Sequence, residues 1–356
     1  MKHLATIILA VFILHACSSK SNKKAEEKSA DTSNVALTAA GATFPMPYYN
    51  MVFKNYGDKT GTQITYGGIG SGGGIRSLTD KVVDFGATDA YLEDAQMAEM
   101  PAEIVHIPTV LGAVVIAYNL EGIDNLKLSG ELLEKIFMGE ITKWNDPKIK
   151  SNNAELNLPD LAITVIVRSD GSGTTHIFSD YMSKISTKWA EKVGTGKSLQ
   201  WPVGMGAKGN PGVAGTISQT KGAIGYIGSE YAFAMKIQTA QLQNSAGNYV
   251  SPAIETVSAA AQGEIPADTR VMLTNSSDPN AYPISGFTWI ILYKEQNYNN
   301  RTKEQALATV KLLEWLVSEE AQGEAEKVHY APLPASVVEK AKTILKGVTF
   351  DGQPLL

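Results

Sequence analysis

The sequence predicts an α/β protein built as two lobes, and three observations carry that expectation. At 356 residues the chain is too long for one small core. Segments of strand and helix character alternate along most of its length. Two apolar β runs, at 104–120 and 282–295, exceed an ordinary strand and lack helical spacing. Each run is read as leaving one sheet and entering the next. One lobe is then discontinuous, residues 35–114 plus 284–356, and the other is continuous, 115–283. Two crossings make a two-strand hinge beside a ligand cleft.

The elements follow in order. "ALTAAGATFPMPYYNMVFKNYGDKTG" reads as a strand, a Gly/Pro turn and a helix over about 45–56, with Pro45 suited to the first helical position. "TQITYGGIGSGGGIRSLTDK" is strand, glycine loop and helix, and "VVDFGATDA" is strand and turn. After the first long run, "SGELLEKIFMGEITKWNDP" is a helix with a C-terminal turn. "LAITVIVRSDGSGTTHIFSDYM" is again strand, loop and helix, and "GAIGYIGSEYAFA" is strand then helix. Helices at 303–318 and 335–345 close the chain.

Ahead of the fold, a short basic start and the apolar run at 4–14, too short to span a bilayer, read as an export signal over 1–16. Cys17 is the only cysteine, which excludes an internal disulfide and thiol catalysis in the folded part. In "LHAC" it resembles the lipid-accepting cysteine of a bacterial lipoprotein, with His15 unusual at the intervening position; cleavage elsewhere to give a free secreted protein is the alternative. Residues 17–34 mix both charges without apolar periodicity and are expected to be a solvated tether. The reading is a lipid-anchored protein of the cell envelope.

Charge and composition exclude several classes. A formal net charge of −5 gives no general attraction to nucleic acid or to anionic membrane. Five scattered histidines lack metal-ligand spacing, so neither a metal nor a cofactor is expected. The aromatics in "YAFA" and "WIILY" read as packing.

What remains is a set of strand–turn–helix junctions rich in Gly, Ser and Thr. "GGIGSGGG" formally matches the dinucleotide pattern through Gly68, Gly70 and Gly73, but the pattern is weak alone and an exported protein meets few nicotinamide cofactors. It reads better as converging backbone N–H groups with the Ser71 hydroxyl added, a setting for an anion. "GATFP" repeats the arrangement with Thr43 and Phe44, where Thr43 is otherwise a helix cap. "DFGATDA" places Asp84 and Asp89 about a turn. In "VIVRSDGSGTTHIF", the amides of Ser172, Gly173 and Thr174 and the fork of Arg168 can meet one tetrahedral oxyanion, with Asp170 bracing the arginine. Ser172 as a nucleophile with His176 fails, because the elbow G-x-S-x-G is absent.

These segments, with "AAGATFP", "YGGIGSGGG", "IPTVLGAVV", "GEITKWNDP", "WPVGMGAKGN", "GAIGYI" and "YAPLP", resemble the phosphate-binding protein family of bacterial phosphate-specific ABC transporters. The resemblance covers nearly all of the chain beyond the tether. It implies a two-lobed periplasmic binding protein of the type II kind, a solute-binding protein and not an enzyme, and one copy delivering inorganic phosphate to a membrane permease. It also implies phosphate contacts at Thr43, Phe44, Ser71, Asp89, Arg168, Ser172, Gly173 and Thr174, with Asp170 behind Arg168. Gly72 stands where the family often has a second serine, and Ala40 where it often has glycine. An ionised Asp89 would accept the proton that phosphate carries and sulfate lacks. Another oxyanion, sulfate or molybdate, or an exported phosphatase are the alternatives.

Overall fold

The computed structural model describes residues 35–356; the expected export signal, Cys17 and the expected tether to residue 34 lie outside the described residues. β1 (Ala36–Gly41) runs parallel between β2 (Gln63–Gly68) and β3 (Phe85–Thr88). α1 (Met46–Thr60) and α2 (Ser71–Thr79) follow β1 and β2. α1 continues past the expected end at 56 because the chain turns only at Gly61. There a left-handed φ of 78° lets the amide cap the Gly57 carbonyl at 2.9 Å.

β4 (Ile104–Tyr118) is the first long run, and it changes partners part-way. Ile104 to Ala113 pair antiparallel with the Ser285–Tyr293 strand, and Val114 to Tyr118 with the Ala223–Gly228 strand. Beyond the latter lie the Thr164–Arg168 and Met205–Ala207 strands, all three mutually parallel. At the change-over the Val114 amide donates to the Ile284 carbonyl at 2.8 Å.

The second long run departs from the expectation. Its strand pairs with β4 and β3 and stays within the first sheet. Pro283 stands just ahead of it and has no N–H with which to continue a ladder.

Both sheets are covered by apolar side chains. Val52, Phe53 and Tyr49 of α1 pack over the first, and at the second Phe178 stacks on Tyr226 with Trp189 edge-on to it. The Gly209–Gln219 helix, the Thr187–Lys192 helix and a small sheet of Lys127–Leu128, Gln241–Gln243 and Tyr249–Val250 were not legible in the sequence pattern.

The topology fixes where a site can form. β1, β2, β3 and the Thr164–Arg168 and Met205–Ala207 strands each hand over to a turn at the carboxyl end. In parallel α/β sheets that edge gathers loop amides and helix N-termini.

Candidate functional site

The first junction begins at Gly41, where a Cβ would stand 2.1 Å from the Ala87 carbonyl oxygen, so only glycine fits between the strands. Thr43 is buried, and it does not cap α1: the N-cap is Pro45, with no side-chain bond. Its Oγ1 accepts from both the amide and Nδ2 of Asn210, each at 3.1 Å. The Thr43 carbonyl accepts from the Tyr231 hydroxyl, and that of Phe44 from the Tyr330 hydroxyl. The Phe44 ring fills the space above Gly112.

At the second junction Ile69 and Gly70 both donate to the Gly41 carbonyl at 2.9 Å. Gly70, at φ 86°, turns the chain into α2, which presents Ser71 on its first turn. Ser71 Oγ accepts from the Asp89 amide at 3.2 Å and the Gly173 amide at 3.1 Å, and faces Asp89 Oδ2 at 3.4 Å. The third junction follows β3 and carries Asp89, which is 1% exposed. Its Oδ1 accepts from Thr288 Oγ1 at 2.7 Å. Burial pushes the Asp89 carboxyl up to about 7, against the opposing pull of the Thr288 hydroxyl, the Arg168 charge and Ser71. The two acids of "DFGATDA" therefore part company. Asp84 accepts from Thr38 N at 2.6 Å and pairs with Arg301, a structural role behind β1.

The fourth junction supplies the cation. The Arg168 side chain is 1% exposed and doubly bonded to Asp170, Nε to Oδ1 at 2.8 Å and Nη2 to Oδ2 at 2.6 Å. Nη1 donates to Thr174 Oγ1 at 3.4 Å. Burial alone would raise the Asp170 carboxyl, but the bonds and charge of Arg168 and the Gly209 amide at 2.9 Å outweigh it and hold it below its usual range. Ser172 caps the Gly173–Ile185 helix, its Oγ accepting from Thr175 N at 3.0 Å. Its own amide turns away to the Lys197 carbonyl, so of the three amides expected to converge, that of Ser172 is otherwise engaged.

A fifth junction was missed. After Met205–Ala207, Gly209 at φ 69° opens a helix whose next residue, Asn210, is fully buried. Asn210 Nδ2 joins Thr43 Oγ1 to Thr174 Oγ1 at 3.1 Å each, and its Oδ1 accepts from Gly228 N at 3.0 Å. The "GAKGN" turn repeats the strand–glycine–helix pattern, which was the available signal.

The structure thus brings Thr43, Phe44, Ser71, Asp89, Arg168, Asp170, Ser172, Gly173 and Thr174 into one cluster, all buried except the partly exposed Asp170. The N-termini of α1, α2, Gly173–Ile185 and Gly209–Gln219 surround it, each adding positive potential. Among the described residues no group of three or more His, Cys, Asp and Glu is placed to hold a metal ion. A cavity of about 690 Å³ lies elsewhere, lined by Phe233, Ile254, Val257 and His329. It is mainly apolar and contains none of the five junctions, so the hydroxyl-and-amide cluster is the better site for a small anion.

The PBP superfamily domain matches residues 22–320. The phosphate-binding protein PstS of Xylella fastidiosa is 39% identical over 328 residues, covering 91% of this chain and 88% of its own. The PstS of Haemophilus influenzae is 42% identical over 315 residues, covering 86% and 92%. The chain belongs to the PstS family of the PBP superfamily. PstS relatives are named as binding proteins, not as enzymes. A phosphate ABC transporter substrate-binding protein from Clostridium perfringens, solved with bound phosphate, is 18% identical with a TM-score of 0.62. It covers 84% of this chain and 100% of its own. The two-lobed α/β fold is therefore that of the PstS proteins.

Proposed function

We propose that this chain binds inorganic phosphate outside the cytoplasm and delivers it to the permease of an ABC importer. In this reading residues 35–114 with 284–356 close against 115–283, and the anion is held where the five junctions meet. The partner exchange of β4 at Ala113 and Val114 supports that division. Thr43, Phe44, Ser71, Asp89, Arg168, Ser172, Gly173 and Thr174 contact the phosphate, and Asp170 holds the Arg168 fork flat toward it. The hydroxyls and amides now bonded to one another, Ser71 with Gly173 and Thr43 with Asn210, exchange those bonds for phosphate oxygens. A lipid on Cys17 keeps a single copy near the membrane.

The observation that carries the proposal is a buried acid inside a cluster of anion donors. A carboxylate beside an anion is unfavourable unless the anion brings a proton. Phosphate at neutral pH does, and sulfate does not. Asp89 accepts that proton through the oxygen it does not give to Thr288, whereas sulfate would set two acceptors face to face. A site that demands a ligand donor rejects analogues without one by about 10⁴.

Calorimetric titration of the purified protein with phosphate, sulfate and molybdate tests the proposal. Tight phosphate binding with sulfate weaker by roughly 10³ or more is expected. Equal affinity for phosphate and sulfate would turn the assignment toward a general oxyanion binder.

A further inference from the structure

Two tyrosines outside the proposed contact set hold the carbonyls of consecutive residues, Thr43 and Phe44. Tyr231 donates to the first and Tyr330 to the second. The Thr43 carbonyl and the Phe44 N–H belong to one trans peptide plane, so they point in opposite directions. Fixing the oxygen end therefore fixes the direction of the Phe44 N–H. A hydrogen bond to the carbonyl also draws charge through the peptide and makes its N–H a better donor.

The two tyrosines reach this turn from different parts of the chain. Tyr330 packs edge-on to the Phe44 ring, with centroids 6.2 Å apart, and belongs with Phe44 to the 35–114 plus 284–356 half. Tyr231 lies in the short helix Ser229–Ala234, directly after the Ala223–Gly228 strand of the other half. Its bond to Thr43 thus crosses between the halves. Burial pushes the Tyr231 hydroxyl far above its usual range, so it stays a donor at any working pH. Burial also pushes the carboxyl of Glu230, beside it in sequence, well above its usual range.

We propose that Tyr231 is a positioning residue for anion retention. Its hydroxyl, brought in by closure, locks and polarises the Thr43–Phe44 peptide so that the Phe44 amide grips the anion only in the closed state. This rests on the phosphate reading above and adds to it a link between closure and donor strength. The bond forms after encounter, so it acts on release and not on capture.

Tyr231→Phe removes the hydroxyl and leaves the ring in place. In stopped-flow measurements with inorganic phosphate, the dissociation rate of this variant is expected to rise roughly five- to tenfold, the worth of about one net hydrogen bond. The association rate should stay within about twofold. The Phe44 amide, followed by ¹⁵N-edited NMR of the phosphate complex, should shift to lower proton frequency as its hydrogen bond weakens, a change that lost packing elsewhere would not give. An unchanged dissociation rate, or a loss of affinity that falls entirely on association, would overturn the inference while leaving phosphate binding intact. Failure of the unaltered protein to bind phosphate would instead remove the functional reading and this inference with it.

Discussion

Gly173 and Asp89 meet so closely that a methyl group on Gly173 would stand 2.6 Å from Asp89 Oδ2 and 2.6 Å from its Cβ. Ser71 Oγ would lie 2.5 Å from the same methyl. Gly173 begins a helix and has no need of a left-handed φ, so alanine is conformationally acceptable there. On the proposed closure, the conflict would arise only as the two halves come together. Gly173→Ala should therefore weaken phosphate binding by roughly 100-fold through overpacking, with the ligand-free melting temperature nearly unchanged. Calorimetry and thermal denaturation of one sample separate the two effects; wild-type affinity in this variant would mean that the halves do not close on this contact.

Much of this cluster was readable from sequence, and the reason is local. Thr43, Ser71 and Gly173 sit in short polar turns between an apolar strand and a helix, where Gly, Ser and Thr are conspicuous. Asn210 escaped because "GNPGVAGTISQ" is rich in poor helix formers, yet it forms the helix Gly209–Gln219 with Pro211 tolerated in the first turn. Thr288 escaped for the opposite reason. It lies within "SGFTWIILY", whose β-branched and aromatic residues read as sheet, and its bond to Asp89 joins residues 199 positions apart. Tyr231 read as packing, which it also is. The strand pattern could not show that the second β run stays in one sheet, because pairing partners are a tertiary choice.

The raised carboxyl of Asp89 gives the sulfate-to-phosphate preference a pH dependence of definite sign. Burial raises it to about 7 here, and opening the cleft to water would let it return toward its usual value near 3.8. Sulfate accepts no proton in this range, so its capture requires Asp89 to take one up and become the donor. Sulfate affinity should then rise as pH falls from about 7 towards 4, at most tenfold per unit, and be lowest above 7. Phosphate brings its own proton and should vary far less. Asp89→Asn should bind sulfate almost independently of pH and discriminate poorly. A pH-dependent sulfate affinity that survives in Asp89→Asn would place the titrating group elsewhere.

Asp170 is a negative charge beside a site for an anion, so two effects oppose one another. Its charge repels the ligand, while its two bonds to Arg168 hold the guanidinium plane. Truncating one partner of a buried, hydrogen-bonded charge pair costs about 2–5 kcal/mol, more than a partly screened repulsion returns. Asp170→Asn should thus lower phosphate affinity by at least about tenfold, since the new amide group would oppose an Arg168 donor and the Gly209 amide would lose its charged acceptor. Tighter binding by this variant would show that repulsion outweighs the bracing.

Asp84 supplies the contrast that separates stability from binding. It pairs with Arg301, whose side chain is 5% exposed, and also accepts from the Thr38 amide and hydroxyl. Arg301 in turn donates to Thr309 Oγ1 and to the Gln305 carbonyl at 3.2 Å, tying the Lys303–Leu316 helix to β1. Removing one member of such a pair strands a buried charge, a loss of about 3–5 kcal/mol. Arg301→Ala should lower the melting temperature by roughly five degrees in a chain of this size. Below that temperature the folded fraction should still bind phosphate with nearly wild-type affinity, because neither residue touches Thr43, Asp89 or Arg168. A variant that keeps its melting temperature but loses phosphate affinity would move the Asp84–Arg301 pair from scaffold to site.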